Sequence, residues 1–158
     1  MLGFPRVINE KAARTVAAVV ALTGVIALAT GAHWLLIPLA YGFWARVLTG
    51  PRLSPLAQLA SKVIAPRLGA PRDVAGPPKR FAQGMGAAIT TLGVVALALG
   101  WSTVTAVPLA MLIVAATLEA ALGLCIGCKV FAGLMRAGIV PETVCVECAD
   151  ISSRLQRA

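Results

Sequence analysis

All 14 lysines and arginines of this 158-residue sequence lie outside four apolar stretches, a segregation that no water-soluble core requires. The first stretch, Thr15 to Ala32, and the third, Phe81 to Gly100, contain no charged residue. The second, His33 to Ala45, is shorter and holds Pro38, and the fourth, Val104 to Leu124, holds a single acid, Glu119. A helix needs roughly 20 apolar residues to cross a bilayer. Three basic residues precede the first stretch, seven lie between the second and third, and four follow the fourth. The turns near His33 and Trp101 have none. If each stretch crosses once, every basic residue faces the same side, and the excess of Lys and Arg in cytoplasmic segments makes that side the cytoplasm. The expectation is an all-α integral membrane protein of the bacterial inner membrane. It would be a bundle of four transmembrane helices with N and C termini cytoplasmic.

Composition supports lipid as the solvent. Apolar residues make up 59% of the chain and charged residues 13%, where soluble domains carry about a quarter charged. The net charge of +8 raises the question of nucleic acid. Basic residues confined to the ends of apolar runs are what anionic headgroups select, and no aromatic–basic interleaving of the kind that stacks bases is present. The lipid bilayer is therefore the expected partner, and nucleic acid is not. Arg6, Glu10, Lys11 and Arg14 precede the first apolar run, which leads straight into another, so it reads as a helix that stays rather than a cleaved signal.

These features divide the chain into a cytoplasmic N-terminus (1–14), a first transmembrane hairpin (15–46), a basic, Pro-rich cytoplasmic loop (47–80), a second transmembrane hairpin (81–128) and a cytoplasmic tail (129–158). Asn9 suits the N-cap of the first helix. Trp34 at one end of the second stretch, and Tyr41, Phe43 and Trp44 at the other, have the character of interfacial anchors. Within the loop, Leu56, Leu59, Val63 and Ile64 recur at helical spacing over Pro55 to Ala65. That pattern fits an amphipathic helix on the membrane surface or one packed against protein. The segment Ala21 to Gly31 shares six of eleven residues with Thr90 to Gly100, and each is followed by Pro-Leu-Ala, at Pro38 and Pro108. Two parallel helical-hairpin repeats would produce this pattern. A bias toward Ala, Val, Leu and Gly would as well.

The chemistry concentrates in four cysteines, Cys125-Ile-Gly-Cys128 and Cys145-Val-Glu-Cys148. Two CxxC pairs at this separation match four-cysteine zinc sites, in which each pair offers two thiolates to one ion. All four fall on the expected cytoplasmic side, where structural disulfides are uncommon. That leaves a metal, a cycling dithiol or a sulfur carrier, with packing of small apolar side chains as the plain alternative. The first pair is expected at the end of the fourth membrane helix, in apolar surroundings that keep Cys125 an inert thiol. Gly123 and Gly127 would loosen that helix or admit a close neighbour. Gly138 would end it, and Pro141 with Glu142 would start a short helix carrying the second pair. Cys145, nearer water although flanked by Glu142 and Glu147, or Cys148 is then the attacking sulfur. Cys125 or Cys128 resolves.

Glu119 is the one acid inside a predicted span. Such a group faces a bundle interior and marks a pathway or a structural pair. Its candidate partners are Arg46, Lys79, Arg80, Gln83, Thr90 and Thr91. No phosphate-binding loop, GxSxG or HExxH is present, so whether the chain is an enzyme stays open.

Four segments carry a resemblance: Gly50-Pro-Arg-Leu-Ser-Pro-Leu, Ile64-Ala-Pro-Arg-Leu-Gly69, Gly76-Pro-Pro-Lys-Arg-Phe-Ala-Gln83 and Leu118-Glu-Ala-Ala-Leu-Gly-Leu-Cys-Ile-Gly-Cys128. Together they resemble the bacterial membrane family catalogued as domain of unknown function 4395, over nearly the whole chain. The resemblance implies a four-helix membrane protein and a loose association with thioredoxin-like and sulfurtransferase proteins. It supplies no established activity and no catalytic residues. The expectation is a membrane thiol-redox or sulfur-handling protein that uses Cys125, Cys128, Cys145 and Cys148 with a thioredoxin-like or sulfurtransferase partner. One alternative is a subunit of a larger membrane complex in which the same four cysteines hold a structural zinc. Another is a small transporter using Glu119, which four short helices would sustain only as an oligomer.

Overall fold

The computed structural model describes residues 4–145 and Cys148. The chain is about 78% helical. A short strand β1 (Val7–Asn9) leads into α1 (Glu10–Thr30), and Asn9 caps it by accepting from the Lys11 backbone N–H at 2.9 Å. A 3-10 turn (His33–Leu35) enters α2 (Leu36–Thr49), where Pro38 sits in the first turn and its missing N–H leaves no bond unmade. Next come α3 (Pro55–Leu59), a π-helical turn (Ala60–Ile64), α4 (Ala65–Arg67) and strand β2 (Asp73–Ala75). The chain continues through α5 (Gly76–Ala98), α6 (Ser102–Leu122), α7 (Ile126–Arg136) and a 3-10 turn (Glu142–Cys145).

Three helices, α1, α5 and α6, are long and apolar enough to cross a membrane, and they mark the chain as a membrane protein. Their outer faces agree: Leu22, Val25 and Ile26 of α1, Leu92 and Val95 of α5, and Val107, Met111 and Val114 of α6 are all exposed. So large an apolar surface is stable only against lipid or protein. Inside, α1 packs along α6, α2 along α5, and α5 along α6. The core joins Val16 and Val20, Leu39 and Phe43, Ala87, and Leu112 and Ala116. Each helix that begins an apolar hairpin in the sequence thus packs on the helix that ends the other one.

Several expectations need correction here. Phe43 is not an interfacial anchor like the exposed Trp34, Tyr41 and Trp44; it is buried in the core, its ring beside the Arg46 guanidinium at 4.6 Å. The Pro55 segment is helical, but alanines form most of its protein-facing side, with Leu56 partly buried beside them. Ala57, Ala60 and Ala65 are buried, whereas Leu59 and Val63 point outward. Small residues let the backbone approach α1, so the larger apolar side chains have to go elsewhere.

A two-stranded antiparallel ribbon was not foreseen. In it β1 pairs with β2, Val7 opposite Ala75 and Asn9 opposite Asp73. Polar ties fasten the same join. The Glu10 carboxylate meets Arg72 at 3.2 Å, and the Lys11 ammonium donates to the Leu68 carbonyl at 2.7 Å. Arg14 donates to the Ala120 and Ala121 carbonyls at 2.9–3.1 Å, satisfying the open C-terminal end of α6.

Candidate functional site

The fourth apolar stretch does not run on as one helix through the first cysteine pair. It stops at Leu122 because Gly123 adopts a left-handed conformation (φ 67°), which a residue with a Cβ adopts only at a cost. The Gly123 N–H still reaches the Glu119 carbonyl at 3.0 Å and the Leu124 N–H the Leu118 carbonyl at 3.1 Å. The chain then turns and begins again as α7.

That break reverses the setting of Cys125. Expected at the end of a membrane helix, it is instead the N-cap of α7, with its Sγ accepting from the Cys128 backbone N–H at 3.2 Å. A sulfur at this position meets the positive end of the helix, an environment that favours thiolate. Gly127 lets α7 lie against α5, since a Cβ there would come within 2.5 Å of Ala82. Cys125 and Cys128 are joined as a disulfide, with their Cα atoms 5.2 Å apart.

The tail pair is held differently. Cys145 ends the 3-10 turn that follows Pro141, and it is joined to Cys148 with 5.3 Å between Cα atoms. The expectation that Cys145 lies near water is wrong: it is only 1% exposed, in a cluster with Ala75 and Phe131 and against Phe81 and Met135. The Phe81 and Phe131 rings lie 5.7 Å apart at 54° and form the floor of that cluster. Gly138 (φ 74°) does end a helix, but the helix is α7. Glu147 lies outside the described residues.

The two pairs meet at one cleft. A cavity of about 450 Å³ is lined by Cys125, Cys128 and Cys148 together with Lys79, Lys129 and Glu10. Cys128 and Cys148 are half-buried, while Cys125 and Cys145 are buried, so each pair presents its second sulfur. The four sulfurs are bonded within their own pairs. Among the described residues, no group of three or more His, Cys, Asp or Glu side chains is arranged to hold a metal ion.

Glu119 has one of its expected partners. Its carboxylate is in direct contact with the Lys79 ammonium, and both side chains are largely buried. Arg46, another candidate, interacts with Glu119 only through space: its Nε donates to the Gln83 side-chain oxygen at 2.7 Å and Nη1 to the Ser54 hydroxyl at 3.4 Å. Arg80 donates to the Val47 carbonyl at 3.0 Å. Lys79 therefore both neutralises Glu119 and lines the cysteine cleft. Its double part was missed because the sequence offers three equally plausible cations, and only the start of α5 at Gly76 points Lys79 inward.

Residues 8–136 match the model of a family described as a domain of unknown function (DUF4395), and the chain belongs to that family. The matched region includes Cys125 and Cys128 and ends before Cys145 and Cys148. No curated protein and no solved structure matches the chain.

Proposed function

We propose that this DUF4395 member is a membrane thiol-redox protein that passes electrons or sulfane sulfur between its two cysteine pairs at the cytoplasmic face. The observation that carries this reading is the single cleft onto which Cys128 of one pair and Cys148 of the other both open. Starting from a reduced tail, the Cys148 thiolate attacks the Cys128 sulfur. The Cys125–Cys128 bond breaks, and Cys125 leaves as a thiolate held by the Cys128 N–H at the start of α7. Cys145 then attacks Cys148 in the mixed disulfide. Two electrons have moved: the tail pair is oxidised, and the helix pair holds a dithiol after taking up the two protons. Exchange is faster when the leaving thiol has a low pKa, which is what the N-cap position of Cys125 favours. Lys129 adds positive charge beside the reacting sulfurs, and Lys79, paired with Glu119, borders the same cleft. A cytoplasmic thioredoxin-like or sulfurtransferase protein is the proposed exchange partner.

The topology belongs to the same proposal: four crossings in the bacterial inner membrane, with both termini cytoplasmic. Its support is the segregation of all 14 basic residues. The 3-residue turn His33–Leu35 runs directly into the 14-residue α2, which together reach the lower bound of about 17 residues for a crossing.

Metal analysis of anaerobically purified protein, combined with differential thiol alkylation and mass spectrometry, tests the reading. Both pairs should cycle between free thiol and disulfide with added reductant and oxidant, without stoichiometric metal. One zinc per chain, with four thiols shielded until a chelator is added, would replace it with the structural-zinc alternative.

A further inference from the structure

We propose a second site in this protein: a cavity at the cytoplasmic end of the helices that binds an amphiphilic organic monoanion through Arg46. The cavity, about 290 Å³, lies between the N-terminal segment, α1, the end of α2 and the start of α5. Its walls are mostly apolar, with Phe4, Ile8, Ala12 and Val16 prominent, but Arg46, Lys79 and Gln83 converge on it. This is near the lower limit for small-molecule sites, which run from about 300 Å³ upward.

The charge balance is what asks for a ligand. Arg46 and Lys79 are each only 6% exposed. A guanidinium stays charged in proteins, and buried charges are as a rule paired with an opposite charge. Lys79 is paired with Glu119. Arg46 makes direct contact only with neutral groups, the Gln83 amide oxygen, the Ser54 hydroxyl and the Phe43 ring, and feels through space the Glu119 carboxylate that Lys79 already holds. No carboxylate among the described residues forms an ion pair with it, and its Nη2 makes no hydrogen bond to a described residue. Two buried cations, Arg46 and Lys79, thus share one carboxylate, and the net positive charge left over lines a mostly apolar pocket. The complementary ligand is a carboxylate or phosphodiester head with a short apolar body, the head on Arg46 and the body along Ile8 and Val16. An anionic phospholipid and a free medium-chain carboxylate both have this chemistry. The site borders the cysteine cleft at Lys79 but contains no cysteine, and it stands whether or not the cysteines exchange.

The test uses the full chain in neutral detergent and in phosphatidylcholine nanodiscs. Decanoate should raise the thermal midpoint in a concentration-dependent way, and decanol or decyltrimethylammonium should not. Arg46→Gln should need at least tenfold more decanoate for the same shift, with Arg46→Lys intermediate. Ser61→Met, which keeps the charge but fills the cavity, should lose the response too, and it decides the matter should Arg46→Gln fail to fold. Native mass spectrometry separates the sources. Phosphatidylglycerol retained through purification by the wild type and lost in Ser61→Met identifies a lipid, whereas a decanoate response without retained lipid identifies a soluble carboxylate. Equal shifts with decanol, an undiminished response in Ser61→Met, or neither a decanoate shift nor retained lipid would overturn the proposal.

Discussion

The two CxxC pairs have the same spacing and nearly the same Cα separation, 5.2 and 5.3 Å, yet the fold anchors them by different physics. Cys125–Cys128 is fixed by backbone geometry: a left-handed glycine ends one helix, and the cysteine itself caps the next. Cys145–Cys148 is fixed by burial, with Cys145 sunk against Phe131 and Met135. A sulfur on a helix start is stabilised as thiolate, and a sulfur in a hydrocarbon cluster is stabilised as thiol or disulfide. Two pairs of unlike character facing one cleft make a direction of transfer, which two equivalent pairs would not.

The comparison can be broken by substitution, and the largest expected effect comes from Cys128→Ser. It should abolish exchange between the pairs completely, leaving a tail disulfide that an external dithiol still reduces; this is measurable by maleimide gel shift. If the tail still forms a mixed disulfide with the remaining Cys125, the two pairs do not work through Cys128.

Next in size is Lys79→Gln. It leaves the Glu119 carboxylate without its counter-charge in a largely buried position, a loss of about 3–5 kcal/mol. Thermal or denaturant unfolding in detergent measures it. Restoring neutrality with Lys79→Gln and Glu119→Gln together should recover most of the loss, which would assign this pair to structure and only Lys79's free face to the cleft.

Phe131→Ala separates the two anchors. Removing a buried phenylalanine costs about 3 kcal/mol or more, and here the loss falls on the docking of the tail. In fully reduced protein, alkylation of Cys145 should accelerate at least tenfold while Cys125 keeps its rate. Parallel acceleration of both would mean that the pairs share one anchor.

Gly127→Ala is the smaller, converse change. Its new methyl meets Ala82 and pushes α7 from α5, at about 1–3 kcal/mol. Cys125 and Cys128 should become more reactive toward alkylating reagents and Cys145 should not.

Much of the helical frame is legible in the sequence, because it rests on long uncharged runs and on where the basic residues fall. Asn9 as a cap follows from residue type alone, whereas residue type narrows the partner of Glu119 only to a group of candidates that includes Lys79. The site is less legible for a physical reason. Whether Cys125 ends one helix or starts another depends on the conformation of Gly123, and a glycine in an apolar run is tolerated inside a helix as well as favoured just past its end. The burial of Cys145 depends on Phe131 and Ala75 arriving from distant segments. The ribbon of β1 and β2 is three residues on each side, too short for an alternating pattern to show.

The account's central claim is that Cys128 and Cys148 exchange across one cleft, and the double variant Cys125→Ser/Cys145→Ser tests it most directly by leaving them as the only thiols. Equilibrated in native membranes with a glutathione redox buffer and analysed by mass spectrometry, the variant should form an intrachain Cys128–Cys148 disulfide. Two separately glutathionylated cysteines, or only interchain cross-links, would contradict it.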